Sequence, residues 1–216
     1  YTGKTYLNNG TVRITRDNNL GAAPATLVPD QLQINGGTLQ MNNTMAFNVN
    51  RGVSIGPAGG RIEVGIANTN VFTATIPTIT AEGVLEVAVR GDDGLGTHST
   101  LNLGTSGGSQ TYAGGIKTEL YVGEINVLGN NTVGPVYVEL GSLNFPGNNT
   151  FTDNLRLAGG VVTLGGTNTI GGVVNMTEGE LALTTSNSFG ANGFSLNLGN
   201  GVLSLRDTTQ TLREIT

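Results

Sequence analysis

The chain has no cysteine and no tryptophan among its 216 residues, and its only histidine is His98. The missing thiols exclude disulfides, zinc–thiolate sites and a cysteine nucleophile together. Charge is scarce too: 12% of residues are Asp, Glu, Lys or Arg, with a formal net charge of -5 and a pI near 4.8. The 10 Lys and Arg residues form no cluster, so nucleic acid and anionic lipid, which need a basic face, are not expected partners. No run approaches the ~20 apolar residues of a membrane helix, so membrane insertion by this segment is not expected either. Ala/Leu/Glu/Lys heptads are absent, which argues against a helical protein, and the low charge argues against a disordered one.

What abounds is glycine, 35 residues of it, and repetition. A phrase of the form apolar–x–apolar, small turn, apolar–x–apolar recurs as LQINGGTLQM from Leu32, VYVELGSLNF from Val136, LRLAGGVVTL from Leu155, VNMTEGELAL from Val174 and LNLGNGVLSL from Leu196. Before the later copies stands Asn-Thr/Ser-apolar, at Asn131, Asn149, Asn168 and Asn187. The step between these asparagines is nearly constant and falls just short of twenty. A fixed period of that size predicts a stack of coils, because one such unit cannot bury its apolar face alone. Looser copies at Leu7, Val53, Ile79 and Tyr121 extend the stack.

Taking the second apolar pair as marker, Val12, Leu39, Ile62, Leu85, Ile125, Leu143, Val162, Leu181 and Leu203 recur at the spacing of a solenoid coil. The exception is the interval between Leu85 and Ile125, about twice the usual step, where a further rung is expected through Leu101-Asn102-Leu103. The expected fold is all-β, a right-handed parallel β-helix of about ten coils and, at ~4.8 Å per strand, roughly 50 Å long. Period-two alternation sends Leu143, Val162, Leu181 and Leu203 into one inward column. The repeated asparagines either pair along the axis as a ladder or cap their own turns.

The opening succession carries a resemblance. YTGKTYLNNGTVRI, then DNNLGAAPATLVPDQLQINGGTLQM, then NRGVSIGPAGGRIEV, resembles the autotransporter-associated β-strand repeat of large secreted and surface-anchored bacterial proteins. The likeness is close over residues 1–64 and looser from Thr111 to Arg206, with Tyr1-Thr2-Gly3-Lys4-Thr5 leading into the strand Leu7–Ile14. It implies a right-handed β-helix passenger, secreted or displayed at the bacterial cell surface, with no shared catalytic residues. Because Tyr1-Thr2-Gly3 is similar to Tyr112-Ala113-Gly114, residues 1–216 read as one solenoid segment of a longer protein whose signal and anchor lie outside it. The expected partners are flanking repeats of the same chain or other copies end to end, since neither end carries a helical or charged cap.

Residues 65–110 depart from the repeat and are where a protruding loop, or contact with a host or cell-surface ligand, is expected. Arg90-Gly91-Asp92 there spells a tripeptide read by some receptors, although a solvated turn after Val84–Val89 explains it. Asp92-Asp93 falls short of the six to eight oxygens of a calcium site. His98 and Ser99 lie beside these acids only in sequence, which is not a triad. Glycosidase chemistry needs two carboxylates flanking a bond; Glu63 and Glu86, occupying like places in neighbouring copies, are the pair to watch, and Glu178 and Glu180 flank a turn glycine. Scattered solvated carboxylates are the simpler reading. GPAGG and GTSGGS lack the helix that a phosphate loop requires. The sequence therefore predicts no catalytic residue, no metal and no cofactor, and a structural rod ahead of a carbohydrate-active β-helix enzyme or an adhesin acting through 65–110.

Overall fold

The computed structural model describes residues 1–65, 70–91, 97–119, 123–185, 194–206, 208–210 and 214–215. They form a three-sided parallel β-solenoid. Each coil lays one short strand in each of three sheets, and every strand pair is parallel. The first sheet has eight strands, from Thr5–Leu7 to Thr169–Ile170; the second has ten, from Thr11–Ile14 to Glu214–Ile215; the third has eight, from Met45–Ala46 to Val202–Leu205. Seven coils carry a strand on all three sides, the first being Val28–Ile34, Thr38–Met41 and Met45–Ala46, and the last Thr169–Ile170, Val173–Met176 and Glu180–Leu183. The expected ten exceeds this because Leu85 and Leu101, taken as two coils, lie on the second and third sides of one, and because the end coils present only one or two strands among the described residues.

The interior is made of apolar columns. On the third sheet Leu101 pairs with Ile125, Ile125 with Leu143, Leu143 with Val162, Val162 with Leu181 and Leu181 with Leu203. The first five of these are buried and Leu203 packs against them. Leu101 does lie on a strand, Thr100–Leu103, but that strand is the third side of the coil whose second side is Leu85–Val89. The wide interval before Ile125 therefore marks a switch of the marker from the second sheet to the third and not a further coil. On the first sheet Ile34, Ile55 and Ala81 stack in the same way, and Phe151 meets Phe145 of the third sheet edge to face with ring centroids 5.0 Å apart. Parallel strands of neighbouring coils can align like this only if each coil returns to the same angular position, which is why insertions are confined to corners.

The repeated phrase does not always wrap the same corner. LQINGGTLQM runs from the first sheet into the second, as Val28–Ile34 and Thr38–Met41. VYVELGSLNF and LRLAGGVVTL run from the second into the third, as Val136–Val138 with Ser142–Phe145 and Leu155–Leu157 with Val161–Leu164. Val12, Leu39 and Ile62 thus form one column on the second sheet, whereas Ile125 and the later markers belong to the third. Leu85 joins neither: Val87 pairs with Ile62, and Leu85 lies opposite Gly60. Both corners use small residues between alternating pairs, so the local phrase does not say which corner it turns.

The buried asparagines do both things that their side chains allow. The Asn149 amide oxygen accepts from the Asn131 backbone N–H at 3.1 Å and from Asn131 Nδ2 at 3.0 Å, and Asn168 Oδ1 accepts from the Asn149 N–H and Nδ2, both at 3.1 Å. Each Nδ2 also donates to its own turn, to Gly129 O from Asn131, Gly147 O from Asn149 and Gly165 O from Asn168. Gln110 continues the ladder, its N–H donating to Asn131 Oδ1 and its Oε1 accepting from Ile79 N–H. Asn187 lies outside the described residues.

At the first coil the third side is closed without a strand. A 3-10 turn, Asp17–Leu20, stands there, and Leu20 enters the core. It is held by Arg51, whose side chain is fully buried: Nε bonds Asp17 Oδ1 at 2.7 Å, Nη1 bonds Leu20 O at 3.0 Å and Nη2 bonds Gly21 O at 2.8 Å. A buried guanidinium is tolerable only when paired and hydrogen-bonded in this way. The strands Thr5–Leu7 and Thr11–Ile14 keep one edge without a partner strand among the described residues. At the corner before Ile116, Gly115 has φ +87 and a side chain there would begin 1.9 Å from Pro135 O, so successive coils approach too closely for any other residue.

Candidate functional site

The densest cluster of ion pairs among the described residues lies on the outward face of the second sheet. Period two places every other residue of a strand outward, and the register stacks Thr38, Arg61, Glu86, Lys117, Tyr137 and Arg156 in one axial column. Arg13, Gln40 and Glu63 form the neighbouring column. Glu63 and Glu86 are therefore not equivalent. The matching strings IEV and LEV are offset by two positions, so that Glu86 lies opposite Arg61 and Glu63 opposite Ala88.

Arg61 stands between the acids. Its Nε bonds Glu63 Oε1 at 2.7 Å, its Nη2 bonds Glu119 Oε2 at 2.6 Å with a second bond from Nη1 to Glu119 Oε1, and Nη1 lies 3.7 Å from Glu86 Oε2. Glu63, 8% exposed, also accepts from Gln40 Nε2 at 2.7 Å and lies 3.3 Å from Arg90 Nη2. Arg13 Nε extends the chain to Gln40 Oε1 at 2.6 Å, and Lys117 Nζ lies 3.3 Å from Glu86 Oε1. Three carboxylates and three cations thus neutralise one another. The bidentate bond from Arg61 holds the Glu119 carboxyl below its usual range and raises Arg61 itself, while Glu86 raises Lys117. A general acid requires a carboxyl pushed in the other direction, by burial or by a second negative charge.

The described residues of the divergent stretch include ordinary rungs. Thr73–Ile76, Ile79–Ala81, Leu85–Val89 and Thr100–Leu103 all pair within the three sheets. Within the tripeptide, Arg90 reaches back to Glu63. Gly91 has φ +108 and is packed so that an added side chain would meet Asn70 O at 2.4 Å and Ser99 Oγ at 2.6 Å. Asp92 and Asp93 lie outside the described residues. Ser99 is fully buried, and its hydroxyl accepts the Phe72 N–H at 3.0 Å; His98 beside it is half-buried. Glu180 lies 3.3 Å from Arg206 Nη2 and Glu178 is exposed. Among the described residues no group of three or more His, Asp or Glu is placed to hold a metal, and no helix is long and apolar enough to cross a membrane.

Three features escaped the sequence reading: the Arg61 network, the buried Arg51, and the stacking of the Arg156 guanidinium on the Tyr137 ring at 5.2 Å. The interval from Tyr137 to Arg156 equals one repeat step, and that was the available signal for the last of them. Comparison of the chain with protein-family models, with curated proteins and with solved structures gives no match in any of the three.

Proposed function

We propose that this chain is a non-catalytic structural segment, a rod or passenger stalk of an exported bacterial surface protein, serving display, surface assembly or adhesion. The observation that carries this reading is the use of the side chains: inward positions go to apolar columns and an amide ladder, and the densest outward cluster is a closed network of ion pairs. Each carboxylate of that network is paired with a cation, and the stack of coils makes a spacer whose length is set by coil number. The likeness of residues 1–64 to the autotransporter-associated repeat supports export and surface location. Strand edges at the end coils suit continuation into flanking repeats or end-to-end contact with another copy.

The competing reading is a carbohydrate-active enzyme using Glu63 and Glu86. The purified chain is incubated with polysaccharide and peptide libraries, with and without EDTA, beside a Glu63→Gln/Glu86→Gln variant. The rod predicts no turnover in any arm and a melting temperature that ignores the chelator. Turnover by the native chain that the double variant loses would overturn it.

A further inference from the structure

Three open cavities lie in a row along the outward face of the second sheet. The first, about 270 Å³, is lined by Arg61, Glu86 and Val84 among others; the second, about 340 Å³, by Val84, Lys117, Tyr137 and Arg156; the third, about 450 Å³, by Arg156, Asn154, Asn175 and Asn197. Val84 joins the first to the second, and Asn154 with Arg156 joins the second to the third, so they form one trough parallel to the rod axis.

The two halves of this trough differ chemically. In the first half the cations are consumed by Glu63, Glu86 and Glu119. In the second, the exposed Arg156 has no ion-pair partner among the described residues, and its guanidinium is oriented by the Tyr137 ring beneath it. Asp153 also lines this half, its Oδ1 accepting the Asn154 N–H at 2.7 Å. Asn175 lies opposite Arg156, and Asn197 opposite Asn175.

Stacked asparagines elsewhere on the outer surface bond to each other: on the third sheet Asn144 Nδ2 donates to Asn126 Oδ1 at 2.9 Å and Asn126 Nδ2 to Asn102 Oδ1 at 3.0 Å. Asn175 and Asn197 have the same register relation, yet their amides make no hydrogen bond with any described residue. Asn154 uses its Oδ1 on the Val173 N–H at 2.8 Å, which leaves its amide donors to the trough. One oriented guanidinium and a run of solvent-accessible amides whose donors have no protein partner among the described residues, spaced by the ~4.8 Å rung, therefore line a cleft with a few convergent polar groups.

We infer that this half of the trough binds an acidic polysaccharide whose chain runs along the rod axis. A uronate carboxylate takes the Arg156 fork, which matches it in a bidentate manner. Ring hydroxyls, each a donor and an acceptor, satisfy Asn154, Asn175 and Asn197, and a sugar face rests beside Tyr137. A nucleic acid would need a row of cations where one unpaired cation stands, whereas the polysaccharide needs only one carboxylate at that fork and makes its remaining contacts through ring hydroxyls. An extended peptide would need a free strand edge or alternating side-chain pockets, and this face of the sheet interior offers neither. Binding of this kind requires no catalysis and stands whether or not the rod is exported.

The test is calorimetric titration of the chain with short oligogalacturonates, their methyl esters and poly-glutamate. The proteins are the native chain, Arg156→Ala, Arg156→Lys, Asn175→Ala and, as a control away from the trough, Lys4→Ala, with melting temperatures recorded for each. The native chain and Lys4→Ala bind the free acid equally. Arg156→Ala weakens binding roughly tenfold or more, as expected for loss of a charge-assisted bidentate contact. Arg156→Lys falls between, and Asn175→Ala weakens binding severalfold. Native binding to the methyl ester should match the loss seen with Arg156→Ala. The inference is overturned if the native chain does not bind the free acid, if both Arg156 variants bind it as the native chain does, or if the ester or poly-glutamate binds as tightly.

Discussion

A Val162→Asp variant should lose most or all of its folded stability. Val162 is fully buried, with Leu143 and Leu181, both fully buried, directly before and after it in the axial column. A carboxylate there would stand in an apolar column and costs several kcal/mol even after relaxation. A domain retains only about 5–15 kcal/mol in total. Because each coil is held by its neighbours, damage at one rung also uncouples the coils on either side of it. Thr163→Asp puts the same charge on the next residue, which faces outward, and should stay within about 1 kcal/mol of the native chain. Thermal unfolding of the two variants decides it: a native-like melting temperature for Val162→Asp would show that the inward column is misassigned.

The amide ladder should be the second most sensitive element. In Asn149→Leu the Asn131 backbone N–H loses its acceptor and Gly147 O loses the 2.7 Å bond from Nδ2, and Asn131 is itself buried. Each buried group left unsatisfied costs about 1–3 kcal/mol, so a loss of roughly 2–5 kcal/mol is expected. Thr150→Ala, at the neighbouring exposed position, should fall within about 0.5 kcal/mol of native. Chemical denaturation of both variants separates the cases; equal midpoints would mean that water replaces the ladder at no cost.

The contrast between these neighbours shows what the sequence makes legible. Strand alternation and a nearly constant repeat step fix the inward column Leu143, Val162 and Leu181, because residues one coil apart must coincide in angle, whereas the wide interval around Leu101 suggests a coil too many because the marker changes sheet there. Asn131, Asn149 and Asn168 declare themselves through the same step. The first coils are harder to read. Their corners vary in length, so the match between Glu63 and Glu86, made on the strings IEV and LEV, misses by two positions and reverses the meaning of the pair: Arg61 comes to lie where a second acid was expected. Which corner a phrase turns is also invisible locally, since Gly36-Gly37 between the first and second sheets and Gly159-Gly160 between the second and third sit in the same alternating context. Arg51 could not have been found at all from its neighbours, because its partners, Asp17 and the carbonyls of Leu20 and Gly21, lie far back in the chain across an irregular connection. The Tyr137–Arg156 pair was within reach, since one repeat step separates them, but only once both are known to face outward.

A rigid axial stack is the claim on which the rod, the ladder and the trough all depend, and the distance between spin labels tests it directly. The chain has no cysteine, so a Tyr6→Cys/Thr169→Cys variant carries labels at those two sites only. Both residues are exposed on strands of the first sheet, the first and the last of its eight, seven rungs apart. At ~4.8 Å per rung the backbones lie roughly 34 Å apart. Pulsed electron–electron resonance should give a single narrow distribution near that distance, widened only by the label arms. A broad or multiple distribution, or a mean that does not follow the number of intervening coils, would contradict the account.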